Sequence, residues 1–526
     1  MKRAYLRFSR YFSFLIVVAA TLVSCHERPL NPNHDLSLSD YASLDTALYR
    51  LNSRRIRAQI DTLMRHDLDS MSVDYRVRNY YARRRPFVWI DRKGVDHRAD
   101  SLVAHLQHVR AMGFSERKFR LPQIEDDLRH ARALDFDDDH YAACRVMARL
   151  EYNLTKAYLR YAAGQRFGFF NAHYVLNRLD HIDANDFASG YRQLFDLPVK
   201  RVNQSFYDRA LHEVHVDSVG FFLTASEPDN PLYYRLQQLL PTAKGGMRRL
   251  VLINMDRCRA RMPHYPEADR KHVVVNIPAF HLYAVNGEEV LTMRIGCGTL
   301  ETKTPLLVSA IKRMDLNPQW VLPRSIIRKS VARHAGNVGY FRSHHYFIRE
   351  RATGRSVDVA TVTPAMLESG AYLVMQEGGA TSALGRIIFR FDNGFSIYLH
   401  DTSSRGFFSQ DDRGVSHGCV RVELPFDLAV FLLKDKDERL IDRIRYSMTA
   451  DVSPVGKRKD ELTEEQQAVA DTLDRRRLIG NVEVKPTVPL YIYYYTLYPD
   501  PDGTLRAYND VYGYDALVWQ TLKNYL

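Results

Sequence analysis

Two side chains able to form a nucleophilic pair stand close together in the last third of this chain. His400 ends the run Phe395–His400, and Cys419 lies inside Ser416-His-Gly-Cys-Val-Arg-Val422. A thiol attacks as its thiolate, so it needs a base within reach and a polar, partly exposed position. A histidine at a strand end can be oriented through its second ring nitrogen. It can then take the Cys419 proton and give a thiolate–imidazolium pair. Gly418 lets the backbone approach a substrate carbonyl closely, and the backbone N–H groups around Cys419 are natural oxyanion donors, each worth about 3 kcal/mol. Arg421 shares a face of an extended strand with the cysteine two residues before it. Its fork of donors suits a carboxylate or a carbonyl. The plainer alternative is a buried cysteine near two incidental histidines, and the rest of the chain has to decide between them.

The elements around this stretch read as strands. From about residue 250 the hydrophobic period changes from helical to alternating, with Val273, Val275 and Ile277 set between polar neighbours. Phe280–Val285 and Glu289–Ile295 flank Asn286-Gly287, a strong hairpin signal. A second hairpin is written in Arg386–Phe391, the turn Asp392-Asn393-Gly394 and Phe395–His400, and its returning strand delivers His400 at its end. Val420–Val422 reads as another strand, and Pro425 can open a helix running through Leu433. Residues 318–372 are irregular and rich in Arg, His and Tyr, the kind of long insertion that serves as a lid. The tail after Asp451 starts charged and helical. It ends in a β-like run at Val488–Tyr498, a turn at Asp500–Gly503 and an aromatic segment through Tyr514, which has enough apolar residues to pack back on the domain.

Ahead of this half, Tyr41 to Leu240 is patterned as helices. Leu102, Leu106 and Val109 recur at helical spacing before a stop at Gly113. Glu151–Ala163 reads as an amphipathic run, and Asp135–Asp139 as a solvated turn. No constellation for catalysis is visible there. The chain is 526 residues long, enough for two or three domains. The expected class is α+β: a helical scaffold domain over 41–245 and a β-rich catalytic domain over 246–526. Lys and Arg exceed Asp and Glu by 12, but they are scattered, with short clusters only at Arg83–Arg85 and Arg475–Arg477. Without a zinc-finger or phosphate-loop pattern, nothing points to nucleic acid.

The N-terminus reads as a secretory signal over 1–24: Lys2, Arg3, Arg7 and Arg10 precede the apolar Phe12–Val23. Leu22-Val23-Ser24-Cys25 resembles a bacterial lipobox, so Cys25 is the expected lipidation site and residues 25–40 a linker. The protein is then expected outside the cytoplasm, tethered to a membrane and facing the periplasm. Cys144, Cys258 and Cys297 form no metal spacing and read as small buried hydrophobes, with a disulfide between two of them left open.

Ser416-His-Gly-Cys-Val-Arg-Val422 behind an upstream histidine resembles the L,D-transpeptidase (YkuD) catalytic domain. The fifteen residues between His400 and Ser416 fall inside the loop length of that family. Further likenesses point to its large YcbB-like branch: Val275-Asn-Ile-Pro278, Thr304-Pro305, Asn317–Pro323, Ala383–Ile387, Tyr398-Leu-His-Asp-Thr402 and Asp510–Asp515. Val77–Tyr81 with Trp89 extends the likeness into the helical half. The resemblance implies Cys419 as nucleophile, His400 as general base, His417 as a positioning residue and Gly418 as a backbone oxyanion donor. It implies Ser416, Tyr398 and Arg421 at the substrate, although many relatives have asparagine in place of Arg421. It makes residues 318–372 a substrate-capping subdomain and 451–526 a C-terminal extension. The peptidoglycan-binding module that many of the branch insert after the scaffold has no room between Tyr233 and Leu252.

The implied activity is transfer of a peptidoglycan tetrapeptide stem onto a neighbouring stem, giving a 3→3 cross-link. No cofactor and no metal is implied, and inhibition by carbapenems is. Hydrolysis of the same acyl-enzyme, as an L,D-carboxypeptidase or a cross-link-cleaving enzyme, uses the same Cys–His pair. A non-catalytic wall-binding lipoprotein is the reading from a different class.

Overall fold

A computed structural model describes residues 51–136, 140–182, 190–457, 459 and 462–526. The signal, Cys25 and the linker lie outside the described residues, as do Asp137–Asp139 of the acidic turn. The chain divides into two compact units that interleave in sequence. One holds residues up to 166, 202–227 and 525–526; the other holds 167–201 and 228–524. The class is α+β, with a helical N-terminal region and a β-rich C-terminal one. The second unit thus takes in residues well ahead of the expected boundary at 245.

The first unit is built on the helix Ala143–Phe167. The run expected to be amphipathic over Glu151–Ala163 lies inside it and has no exposed face: every residue from Leu150 to Gly164 is buried. Its charges are buried with their partners, since an isolated buried charge is too costly. Lys156 Nζ lies 2.7 Å from Asp69 Oδ2, and Arg160 Nη2 lies 2.6 Å from Asp74 Oδ1. The Glu151 carboxylate accepts the backbone N–H groups of Val88, Trp89 and Ile90 and the Tyr81 hydroxyl. One side chain therefore stands in for a sheet partner. At Gly113 the chain stops in the left-handed region, φ 87°, where a side chain would be strained.

The second unit is organised by a sheet that closes on itself. Its strands are β1 (Phe195–Asp196), β2 (Lys271–Asn276), β3 (His281–Asn286), β4 (Glu289–Gly298) and β5 (Leu306–Leu316). Then come β6 (Trp320–Val321), β7 (Tyr346–Glu350), β8 (Ser356–Val357) and β9 (Tyr372–Gln376). These are followed by β10 (Ile387–Phe391), β11 (Leu399–His400), β12 (Gly414–Ser416), β13 (Val420–Val422) and β14 (Asn481–Tyr493). The main order is β10-β11-β13-β4-β3-β2-β14-β5, and β5 pairs back onto β10. Strand β1 adds to β5 in parallel, and β12 to β4.

Two details differ from the sequence expectation. The switch to strands comes at Lys271, because Gly245–Arg259 is a helix. The β3–β4 loop is Gly287-Glu288, with Asn286 already paired to Glu289 and Gly287 at φ 64°. The tail does more than pack back. Strand β14 lies between β2 and β5, running parallel to the first and antiparallel to the second.

The inserted segment is ordered as a small sheet, β6-β9-β7-β8, with short helices. It has a core of its own, in which Leu322, Ile327, Val331, Phe341, Ile348, Val362, Leu367 and Val374 are buried. Its weak periodicity in the sequence reflects short elements, and it extends to β9, past the expected end at 372.

Candidate active site

The β10–β11 hairpin brings His400 to its place. Its return strand is only Leu399–His400 rather than Phe395–His400. The Asn393 side chain takes over the missing ladder bonds, accepting the Phe395 and Ile397 N–H groups and donating to the Phe391 and Ile397 carbonyls. Ser396 sits at φ 55°, which breaks the strand. His400 pairs with Ile388 on β10 and, in parallel, with Arg421 on β13. Leu399 pairs with Val420, both of them fully buried on the core side. Since faces alternate along a strand, His400 and Arg421 share the opposite face. Cys419, two residues before Arg421, lies at the entry to that same face.

The ring of His400 is fixed from behind, Nδ1 bonding to the Asp401 carbonyl. Nε2 is the ring nitrogen that Asp401 does not engage, and Leu384 adds a second backbone hydrogen bond to the ring. Asp401 is anchored in turn, its carboxylate accepting the Arg386 N–H at 2.8 Å and contacting Arg405. Gly385 makes room for it, since a Cβ there would come within 2.4 Å of Asp401 Oδ2. Burial first, and the Arg421 charge second, hold the His400 imidazole down to about 4, against 6.5 for a free histidine. Burial also pushes the Cys419 thiol up, partly offset by a backbone hydrogen bond with Tyr398 and by Arg421. The resting pair is therefore neutral thiol and neutral imidazole. Desolvation of both groups opposes a standing ion pair, so the proton exchange expected of these residue types starts from the neutral side.

The loop carrying Cys419 is clamped by threonines. Thr304, fully buried, accepts the Gly298 N–H and donates to the Gly418 carbonyl, both at 2.9 Å. Thr302 Oγ1 donates to the Ser416 carbonyl at 2.7 Å. Tyr512 closes the arrangement, donating to the Gly298 carbonyl and accepting the Thr304 N–H. These residues were visible in the sequence only as parts of Thr304-Pro305 and Asp510–Asp515, with no role attached. Asp401 likewise stood in Tyr398–Thr402 without one.

Three expected roles change. Ser416 is buried, with Oγ donating to the Cys419 carbonyl at 2.6 Å and accepting the Gly418 N–H at 3.1 Å, so it shapes the loop rather than touching substrate. The Gly418 N–H is thereby spent, because φ 114° turns it back toward Ser416. Among the described residues no acceptor engages the Cys419 N–H, which is the available oxyanion donor at this loop. Tyr398 lies beside Cys419 through its backbone, while its ring is covered by Arg390, 5.2 Å away. His417 is exposed at the rim, its imidazole held down by partial burial, by Lys329 of the inserted segment and by Arg421.

Residues 270–441 match the family model of the L,D-transpeptidase catalytic domain. The chain carries that domain. Residues 75–240 match the model of a scaffold domain. The L,D-transpeptidase domain contains His400, Ser416, His417, Gly418, Cys419 and Arg421. The chain is 26% identical over 331 residues to a Haemophilus influenzae protein named "Putative L,D-transpeptidase"; the match covers 60% of this chain and 61% of that protein. Cys144, Cys258 and Cys297 are buried, and burial raises the Cys297 thiol to about 12, which suits packing rather than attack. Among the described residues no group of three or more His, Cys, Asp or Glu could hold a metal ion.

Proposed function

We propose that this protein is a peptidoglycan L,D-transpeptidase that forms 3→3 cross-links through a Cys419 acyl-enzyme. The thiol attacks the carbonyl of the third stem residue as its proton passes to His400 Nε2. The carbonyl electron pair moves onto oxygen, facing the Cys419 N–H. When the intermediate collapses, the bond to the fourth residue breaks, and His400 protonates the departing amine of D-alanine. The side-chain amine of a neighbouring stem then attacks the thioester, losing its proton to His400 and restoring the thiol. Binding of substrate displaces water and carries the neutral pair into reaction, so no standing thiolate is required.

The observation that carries this reading is the parallel pairing of β11 with β13, which sets His400 and Arg421 side by side, with Cys419 on the same face. The inserted segment, which brings Lys329 near His417, is the proposed cap over a stem peptide. We place the protein at the periplasmic side of a membrane, held by a lipid on Cys25, where the wall is its partner. Carbapenems, as acyl donors, are the proposed inhibitors.

The experiment is incubation of the purified protein with tetrapeptide stems, followed by mass spectrometry. Cross-linked dimers and released D-alanine are expected, and Cys419→Ala abolishes both while keeping the fold. Tripeptides without dimers would replace the transferase reading with an L,D-carboxypeptidase, and dimers from Cys419→Ala would overturn the cysteine mechanism.

A further inference from the structure

Among the described residues the guanidinium of Arg421 has neither an anion nor a hydrogen-bond acceptor, whereas each neighbouring arginine has one or the other. Arg386 reaches Asn317 and the Ala450 carbonyl, Arg390 reaches Asp315, and Arg405 reaches Asp401. Arg413 is held by the Ile295, Phe280 and Gln410 carbonyls, and Arg294 by Glu423. Among the described residues Arg421 is met by the ring of Phe407, 5.7 Å from its centre. Its Nε is buried with no hydrogen-bond partner, and among the described residues it forms no ion pair.

This environment is built into the strands. Arg421 pairs with Gly296 on β4. A side chain at Gly296 would come within 2.6 Å of Phe407, so the glycine admits the ring that backs the guanidinium. On its other edge Arg421 pairs with His400. A half-buried cation with unspent donors costs stability unless an anion completes it. A planar fork of donors fits a carboxylate best.

We propose that Arg421 is a carboxylate-reading switch for the Cys419–His400 pair. A carboxylate of the peptide acyl donor binds the guanidinium, and neutralising that charge raises the proton affinity of His400, the acceptor of the thiol proton. The inference rests on Cys419 and His400 being the reacting pair. Until a carboxylate arrives, the positive charge beside the imidazole opposes a second one, although it favours the Cys419 thiolate. The proton moves only from Sγ to Nε2, and the bound carboxylate stays a carboxylate. No other charge answers for this coupling. Asp401 faces His400 with its backbone, and its carboxylate is tied to Arg386 and Arg405; Glu423 is tied to Arg294; Lys329 acts on His417 at the rim. Of the charged groups packed around β11 and β13, Arg421 is the one that depresses His400.

The test needs no turnover, so it stands apart from the transpeptidase reading. The full chain with Cys419→Ala is labelled at histidine, and the His400 resonance is identified by its loss in His400→Gln. Its titration is followed by NMR in acetate and in chloride at matched ionic strength. Acetate is expected to raise the His400 midpoint by about one pH unit, a tenfold gain in proton affinity. Arg421→Met is expected to raise the midpoint without acetate and to abolish the response, and Arg421→Lys to keep the response. A midpoint that ignores acetate, or one that moves equally in Arg421→Met, overturns the proposal. With a stem-peptide donor, the acid limb of kcat should lie above that of kcat/KM, and the two should coincide in Arg421→Met. Coincident limbs in the unaltered enzyme refute the switch even where cross-links form.

Discussion

Thr304→Val is the substitution that isolates the clamp beneath the proposed nucleophile, Cys419. It keeps the shape of the side chain and removes one hydroxyl, which in the structure accepts the Gly298 N–H and donates to the Gly418 carbonyl. Both partners lie where water does not reach, since Thr304 is 0% exposed. Each buried group left unpaired costs roughly 1–3 kcal/mol, so the loss is about 2–6 kcal/mol. At roughly 2–4 °C per kcal/mol for domains of 150–250 residues, the melting temperature should fall by about 4 °C or more. The freed Gly418 carbonyl also loosens the turn that aims Cys419, and a misplacement of about 1 Å costs roughly 10²-fold in rate. The assay pairs a thermal melt with the rate of Cys419 acylation by a carbapenem, read by mass spectrometry. Thr304→Ser, which retains the hydroxyl, should remain close to the unaltered protein in both. If Thr304→Val melts within about 1 °C of the parent and acylates at the same rate, the clamp does not position the nucleophile.

Four further outcomes follow from the same structure. Because the His400 imidazole is held down to about 4, the acid limb of kcat/KM should fall near pH 4, and a limb near 6.5 would mean that the base is another group. The same shift makes His400 stabilising only while neutral. Its contribution is full above about 6.5, falls as pH drops toward 4, and totals on the order of 3 kcal/mol, readable from melts across that window. Gly385→Ala puts a Cβ against Asp401 at a backbone angle of φ 61°, so kcat should fall about 10²-fold while Cys419 remains present and reduced by thiol titration. Glu151→Ala strands three buried N–H groups at Val88, Trp89 and Ile90; a loss of at least about 3 kcal/mol is expected, seen as faster hydrogen exchange at those amides.

Much of this protein was legible in the chain because its signals are local. A histidine ending one strand and a cysteine opening another lie within a single short stretch, so their types and spacing alone suggested the pair. Alternating hydrophobic residues marked β2, β3 and β4, and Asn286-Gly287 marked the turn between two of them. Pro425 announced a helix that runs to Leu432. What the chain did not display are properties that belong to pairs of distant residues. Strand β14 enters the sheet between β2 and β5 although some two hundred residues separate it from β2, and no local period encodes a partner so far away. Thr304 meets Gly418 only because β4 and β13 are neighbours. The protonation of the candidate pair was beyond reach for the same reason: it depends on the desolvation of His400 and Cys419 and on Arg421 lying alongside. Residue types specify which groups can exchange a proton. The folded surroundings, by excluding water and setting Arg421 beside them, decide how readily they do.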